Sequence, residues 1–341
     1  MIYFLKRVGL SRLPAGSAPV VGKRGCLGNA SEMTTAQGLD LIADAGLSAI
    51  SVEYVHFSLI PFKNCANMSD LYRYFDDNPG RLIHKWAHYF NIYERHFGIF
   101  RNKPIRLIEY GVFHGGSLQM WKHYFGPQAQ IIGVDIDPRC AALAEPGIEI
   151  VIGDQEDPQT HARLCEKYGD FDIVIDDGGH TMKQQIVTFQ GMYPAVKMGG
   201  IYLAEDLHTS YFPRWGGGIR QPGTFIEFSK LFIDQLHAWY AASADHQPDL
   251  VTTSAYGLHF YDSILVIEKA LVTQPVQLIS GIPSFPVDVL EYLLLAEHYQ
   301  RKGNLQAAIE QCQAALRGKP DSLQAKSALE QLQAELVKRG A

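Results

Sequence analysis

At 341 residues, 47% of them hydrophobic, the chain is long enough to bury a large core, as one large domain with attachments or as two domains. Its formal net charge of −6 supplies no basic footprint for nucleic acid and no polybasic patch for a membrane surface, so neither is an expected partner. Five cysteines without a C-x-x-C pair fit a reducing compartment, by default the cytoplasm, better than a disulfide framework or structural zinc.

The opening "MIYFLKRVGL" carries a basic residue inside a short apolar stretch with no small-residue cleavage site after it, which makes a poor signal peptide. No run approaches the roughly 20 apolar residues of a membrane span. Residues 1–66 mix glycine, proline and short apolar runs without a clear period; they read as an N-terminal extension in which "TAQGLDLIADAG" predicts a helix. Residues 67–280 read as the main domain. It begins with "LYRYFDDNPGRLIHKWAHYFNIYERHFGIF", whose aromatics recur at helical spacing and predict helices packed by an aromatic core. The histidines and tyrosines of this stretch also have the chemistry to line a pocket.

From Arg106 onward, short apolar runs alternate with helical stretches: "RLIEYGV", "QIIGVDID", "IEIVIGDQ", "FDIVIDDGG" and "GGIYLAEDLH". Near-continuous apolar strands between helices predict a parallel sheet covered on both faces, a doubly wound, Rossmann-like α/β fold. "GLHFYDSILVIEKA" predicts an antiparallel hairpin at the sheet edge, and the long Gly-containing connection 206–250 predicts a lid or binding loop, with Trp215 placed to close over a substrate. Residues 281–341 have the period of a helical hairpin and resemble a tetratricopeptide repeat in "LAEHYQRKGNLQAAIEQCQAAL" with a proline following. One repeat cannot bury its apolar face alone, so it is expected to pack on the domain or on another subunit, as in a homo-oligomer.

Ligands of open α/β sheets bind beyond the carboxyl ends of the strands. The first such end reads "IEYGVFHGGSLQMW", with Glu109, Gly111 in the turn, and Gly115, Gly116 and Ser117 opening a helix. The spacing is not G-x-G-x-x-G, which disfavours a nicotinamide-linked oxidoreductase. Asp135 ends the second strand, placed for ribose hydroxyls, and Asp154 and Gln155 follow the third, placed for an adenine. Together these marks resemble the S-adenosylmethionine site of class I methyltransferases.

Strand four ends in Asp176-Asp177 and strand five in Glu205-Asp206, on strands expected to be neighbours about 4.8 Å apart. Converging carboxylates without cysteine make a hard site suited to Mg²⁺ or another divalent cation. Successive strand side chains point to opposite faces, so one of Asp176 and Asp177 is expected to face the site, and Asp177 is favoured. His180, just beyond, is placed to take a proton from an acceptor hydroxyl.

At these residues the chain resembles the metal-dependent sugar O-methyltransferases of macrolide biosynthesis, of mycinamicin and tylosin type, with cephalosporin hydroxylase-type proteins as relatives. The matching pieces are "IEYGVFHGGSLQMWKHYF", "IIGVDID", "GDQEDP", "FDIVIDDGGH" and "GGIYLAEDLHTSYFP", and "HKWAHYFNIYERHF" looks like the helix before the family's core. The resemblance implies Asp177, Glu205 and Asp206 as metal ligands, His180 as base, and Glu109, Gly111, Asp135, Asp154 and Gln155, with Gly115 and Ser117, around S-adenosylmethionine. It implies methyl transfer to a sugar hydroxyl of a small-molecule glycoside or glycan. The extension and the repeat-like tail lie outside the pattern. Methylation of a phenolic or polyketide hydroxyl, and an inactive scaffold using the tail, are the alternatives.

Overall fold

In the computed structural model of the chain the described residues are 69–241 and 245–340. The N-terminal extension and its expected helix lie outside them. The aromatic stretch forms two helices, α1 (Asp70–Asp76) and α2 (Tyr89–Phe97), as its spacing predicts. Ser69 caps α1 through its hydroxyl, and the Asn78-Pro79-Gly80 turn ends it, because proline offers no helical N–H. Residues 81–88 therefore cross to α2 as an irregular strap.

Five strands, β1 (Arg106–Tyr110), β2 (Gln130–Asp135), β3 (Ile148–Ile152), β4 (Phe171–Asp176) and β5 (Val196–Ala204), run parallel, and β6 (Ala255–Tyr261) and β7 (Ile264–Lys269) form the hairpin. The order is β3-β2-β1-β4-β5-β7-β6, with β7 antiparallel to β5. Strand order reverses between β1 and β4, where the loops leave in opposite directions and open a crevice.

Alternate residues feed two cores. Leu107, Ile131, Ile173, Ile201 and Val266 pack with the aromatics of α2 and of α3 (Gly116–Phe125), while Ile108, Ile132, Val174, Tyr202 and Ile267 face α4 (Pro158–Tyr168), α5 (Met182–Met192) and α6 (Phe225–Leu236). Burial on both faces is why these strands read as unbroken apolar runs. On the first face Trp121 meets Tyr93 edge-on, ring centroids 5.0 Å apart, an arrangement that adds about 0.5–1.5 kcal/mol to the area buried.

The 206–250 connection is largely ordered into α6 and short 3₁₀ turns, and α7 (Leu250–Ser254) leads into β6. The tail forms the expected helical hairpin, α8 (Val289–Arg301) and α9 (Leu305–Gly318), followed by a third helix, α10 (Leu323–Gly340). Leu305, Ala308, Ile309 and Cys312 of α9 pack with Ala296 and Leu332 as a cluster of their own. No helix among the described residues is long and apolar enough to cross a membrane.

Candidate active site

A cavity of about 700 Å³ opens at the carboxyl ends of β1, β2, β3 and β4, where the strand order reverses. Gly111 makes its floor possible. Its φ is +91°, and a Cβ there would lie 2.0 Å from the carbonyl oxygen of Asp177, so no other residue lets the β1 and β4 loops pass this closely. The turn is fixed from β2: Asp135 Oδ2 accepts the N–H groups of Val112 and Phe113 at 2.8 and 3.1 Å. Gly115 takes φ +76° at the N-cap of α3, and a Cβ on Gly116 would strike the carbonyl of Leu82 at 2.3 Å. The strap 81–85 thus lies directly on the glycine turn and adds Leu82, Ile83, His84 and Lys85 to the cavity wall.

The expected cofactor residues divide into two groups. Gly111, Ser117, Asp135, Asp154 and Gln155 line the cavity; Glu109 and Gly115 do not. Glu109 is fully buried inside β1 rather than at its end, and its carboxylate accepts from Ser117 Oγ at 2.6 Å and Trp121 Nε1 at 3.2 Å. It braces α3 from beneath the turn. The Gln155 amide is committed as well: its Nε2 donates to Asp176 Oδ1 and its Oε1 accepts the Gly179 N–H at 3.1 Å. Asp154 is exposed, with Oδ1 accepting the Glu156 N–H.

Ladder bonds beyond the strand ends place the acids. The Asp177 N–H donates to the Tyr110 carbonyl at 3.0 Å and the Glu205 N–H to that of Asp176 at 2.9 Å. Asp176 turns inward and is completely buried; burial pushes its carboxyl up to about 7. Asp177 turns the other way, toward the cavity. His180 and Asp206 both hold the left-handed conformation, φ +57° and +56°, uncommon for residues with a Cβ and sustained here by the packing around them. The result brings Asp177 Oδ1 and Asp206 Oδ2 to 4.0 and 3.5 Å from His180 Nε2. One atom from each of the three lies within 4.8 Å of the others, a spacing that a cation can bridge.

Glu205 stands apart from that trio. It is fully buried, with Oε1 accepting from Tyr93 OH at 2.7 Å and Oε2 from Lys85 Nζ at 2.9 Å. The same ammonium pairs with Asp177 Oδ2 and reaches Glu109 Oε1 at 3.5 Å, with only 3% of its side chain exposed. Burial alone would lower the Lys85 pKa, but Asp177 and Glu205 outweigh it and hold the group well above its ordinary value. Burial and the Asp177 charge in turn push the Glu205 carboxyl well up. One ammonium therefore faces three carboxyl groups, with Asp206 a fourth nearby. The oxygen-rich trio around His180 fits a hard divalent cation.

Three contributors are not apparent from local sequence. Lys85 belongs to the irregular strap, and Tyr89 and Tyr93 donate to Asp206 Oδ1 and Glu205 Oε1, each at 2.7 Å. For the two tyrosines the signal is their fourfold spacing on α2; Lys85 has none. Trp215 is not among the residues lining the cavity.

Sheet order, reversal point and cavity together are those of the Rossmann-like methyltransferase fold. No family model matches the chain. It is 40% identical over 199 residues to the 8-demethyl-8-(2-methoxy-alpha-L-rhamnosyl)-tetracenomycin-C 3'-O-methyltransferase of Streptomyces olivaceus, covering 54% of this chain and 50% of that one. It is 36% identical to the demethylmacrocin O-methyltransferase of Streptomyces fradiae (60% and 53% covered) and to the mycinamicin VI 2''-O-methyltransferase of Micromonospora griseorubida (58% and 51%). Among solved structures it resembles the MycE methyltransferase of the mycinamycin pathway, in complex with Mg, SAH and mycinamycin VI, with a TM-score of 0.55 and 32% identity over 65% of this chain and 57% of that one. The homologues of this chain are thus sugar O-methyltransferases of glycosylated macrolides and tetracenomycin. The chain spans about half the length of the curated relatives it matches.

Proposed function

We propose that the chain is an S-adenosylmethionine-dependent O-methyltransferase that uses Mg²⁺ or another divalent cation and acts on a sugar hydroxyl of a small-molecule glycoside. The observation that carries this reading is the meeting of Asp177, His180 and Asp206 at one side of a cavity whose other side is the Gly111–Ser117 turn. The relatives' names support the choice of a glycoside. When bound, the cation supplies Lewis-acid polarisation of a hydroxyl and the donor supplies a sulfonium methyl group.

The protein's own residues do the rest. Asp177 and Asp206 would hold the cation, and Glu205 is the third expected ligand, kept from the trio in this structure by Lys85 and Tyr93. The glycine turn, whose N–H groups Asp135 sets in place, would hold the donor, and the exposed Phe113 and Ile136 would offer apolar surfaces to its adenine. His180, kept free of the cation, takes the hydroxyl proton at Nε2. His180 Nδ1 then carries the other proton; it is buried, with no hydrogen-bond partner among the described residues.

Methyl transfer from labelled donor to a deoxysugar glycoside, with and without chelator, tests this directly. Asp177→Ala and Asp206→Ala should abolish metal-dependent turnover, and full activity in chelator would remove the cation from the reaction. His180→Ala should lower kcat by about 10²–10⁴-fold while donor binding is kept. An unchanged pH–rate profile in that variant would remove His180 as the base.

A further inference from the structure

His96, His259 and Glu268 converge on the sheet face covered by α2. Glu268 of β7 pairs with Gly257 of β6, and His259 lies two residues farther along β6, so the two side chains are diagonal neighbours on one face. Gly257 makes room for them: a Cβ there would sit 3.2 Å from His259 Nε2. His96, in the last turn of α2 and only 4% exposed, closes over the pair.

We propose that these three side chains form a binding site for a borderline transition metal of the zinc type, separate from the acid cluster at the strand ends. Glu268 Oε1 lies 3.1 Å from His96 Nδ1 and 3.3 Å from His259 Nε2, and one ligand atom from each residue lies within 4.8 Å of the others. Tetrahedral zinc bonds of roughly 2.0–2.1 Å set ligand atoms about 3.3 Å apart, which is the spacing of the two nitrogen–oxygen edges. His259 Nε2 is buried and has no hydrogen-bond partner among the described residues. A nitrogen lone pair facing a carboxylate is repelled unless a proton or a cation lies between them.

An outer partner is also in place. His96 Nε2 lies 2.9 Å from Tyr261 OH. With Nε2–H donating to that hydroxyl, the imidazole presents the Nδ1 lone pair to the cluster, the arrangement by which bound histidines are oriented. Two imidazoles and one carboxylate select zinc-like ions over Mg²⁺, and leave a fourth position for water or an outside ligand. His259 and Glu268, with side chains 36% and 34% exposed, provide access from solvent.

The test is zinc titration of the full, untagged chain by calorimetry and by equilibrium dialysis with metal analysis, with Mg²⁺ in excess. We expect zinc to bind, His259→Ala and Glu268→Gln each to weaken it at least tenfold, and Tyr261→Phe to weaken it by roughly 10–100-fold. Asp177→Ala should leave that binding unchanged. Circular dichroism establishes that each variant is folded, and Glu268→Gln keeps the shape of the side chain should His259→Ala fail. Zinc binding that survives both changes, or that responds only to Asp177→Ala, would overturn the assignment. So would a wild-type chain that takes up no zinc, which would leave His96 and Glu268 as an ordinary buried pair.

Discussion

Lys85 is the residue through which the acid cluster tolerates burial. Its ammonium touches Asp177 and Glu205 and reaches Glu109, and nothing else among the described residues brings positive charge to all three. Removing one partner of a buried ionic group leaves charges unpaired at a cost of about 3–5 kcal/mol, so Lys85→Met should lower the urea unfolding midpoint by that equivalent. Added Mg²⁺ should restore part of the loss, because the carboxylates left without the ammonium then gain a counter-ion. A midpoint that neither falls in the variant nor responds to Mg²⁺ would contradict this account. Lys85 also marks the limit of local reading: it lies in a strap without periodicity, and its partners are 24 to 120 positions away in the chain.

Between elements, His161 is the joint. It projects from α4, accepts from Tyr110 OH at the end of β1 (2.6 Å), and donates through Nε2 to the Gln155 carbonyl after β3 (3.1 Å). The carbonyl can only accept, which assigns the proton to Nε2 and leaves Nδ1 as the acceptor. Burial depresses the His161 pKa below its ordinary 6.5. The folded state therefore binds this proton less readily than the unfolded chain, so the contribution is complete above pH 6.5 and declines as the pH falls through the folded value. Unfolding free energy measured across that range should drop toward acid, and His161→Gln should flatten the drop; an identical slope would assign it to other groups. The central strands β1, β2, β4 and β5 are legible because each buries both faces and ends at glycine or an acid. The aromatic spacing predicts helices over this stretch, and its Asn-Pro-Gly turn marks where the first of them ends. The inward turn of Glu109 and Gln155 had no sequence signal, because a strand-end acid reads alike whether it meets a ligand or a neighbouring side chain. The positions of Asp177, His180 and Asp206 followed from strand neighbours; the retreat of Glu205 onto Lys85 depended on a tertiary contact.

For the whole molecule, the tail's apolar cluster draws its members from α8, α9 and α10. We expect Leu305→Ala and Ile309→Ala each to cost about 2–5 kcal/mol in the melting of the tail, read by helical circular dichroism, with S-adenosylmethionine affinity unchanged. A parallel fall in donor affinity would make the tail part of the binding domain. At the other end of the sheet, the hairpin turn braces the acid loop: the Ser263 carbonyl accepts the Leu207 N–H at 3.0 Å, and its hydroxyl lies 2.6 Å from His208 Nδ1. Ser263 belongs to the last hairpin of the sheet to be synthesised, so a polypeptide interrupted ahead of residue 255 would carry the glycine turn and the acids yet lack the clasp on the loop that follows Asp206.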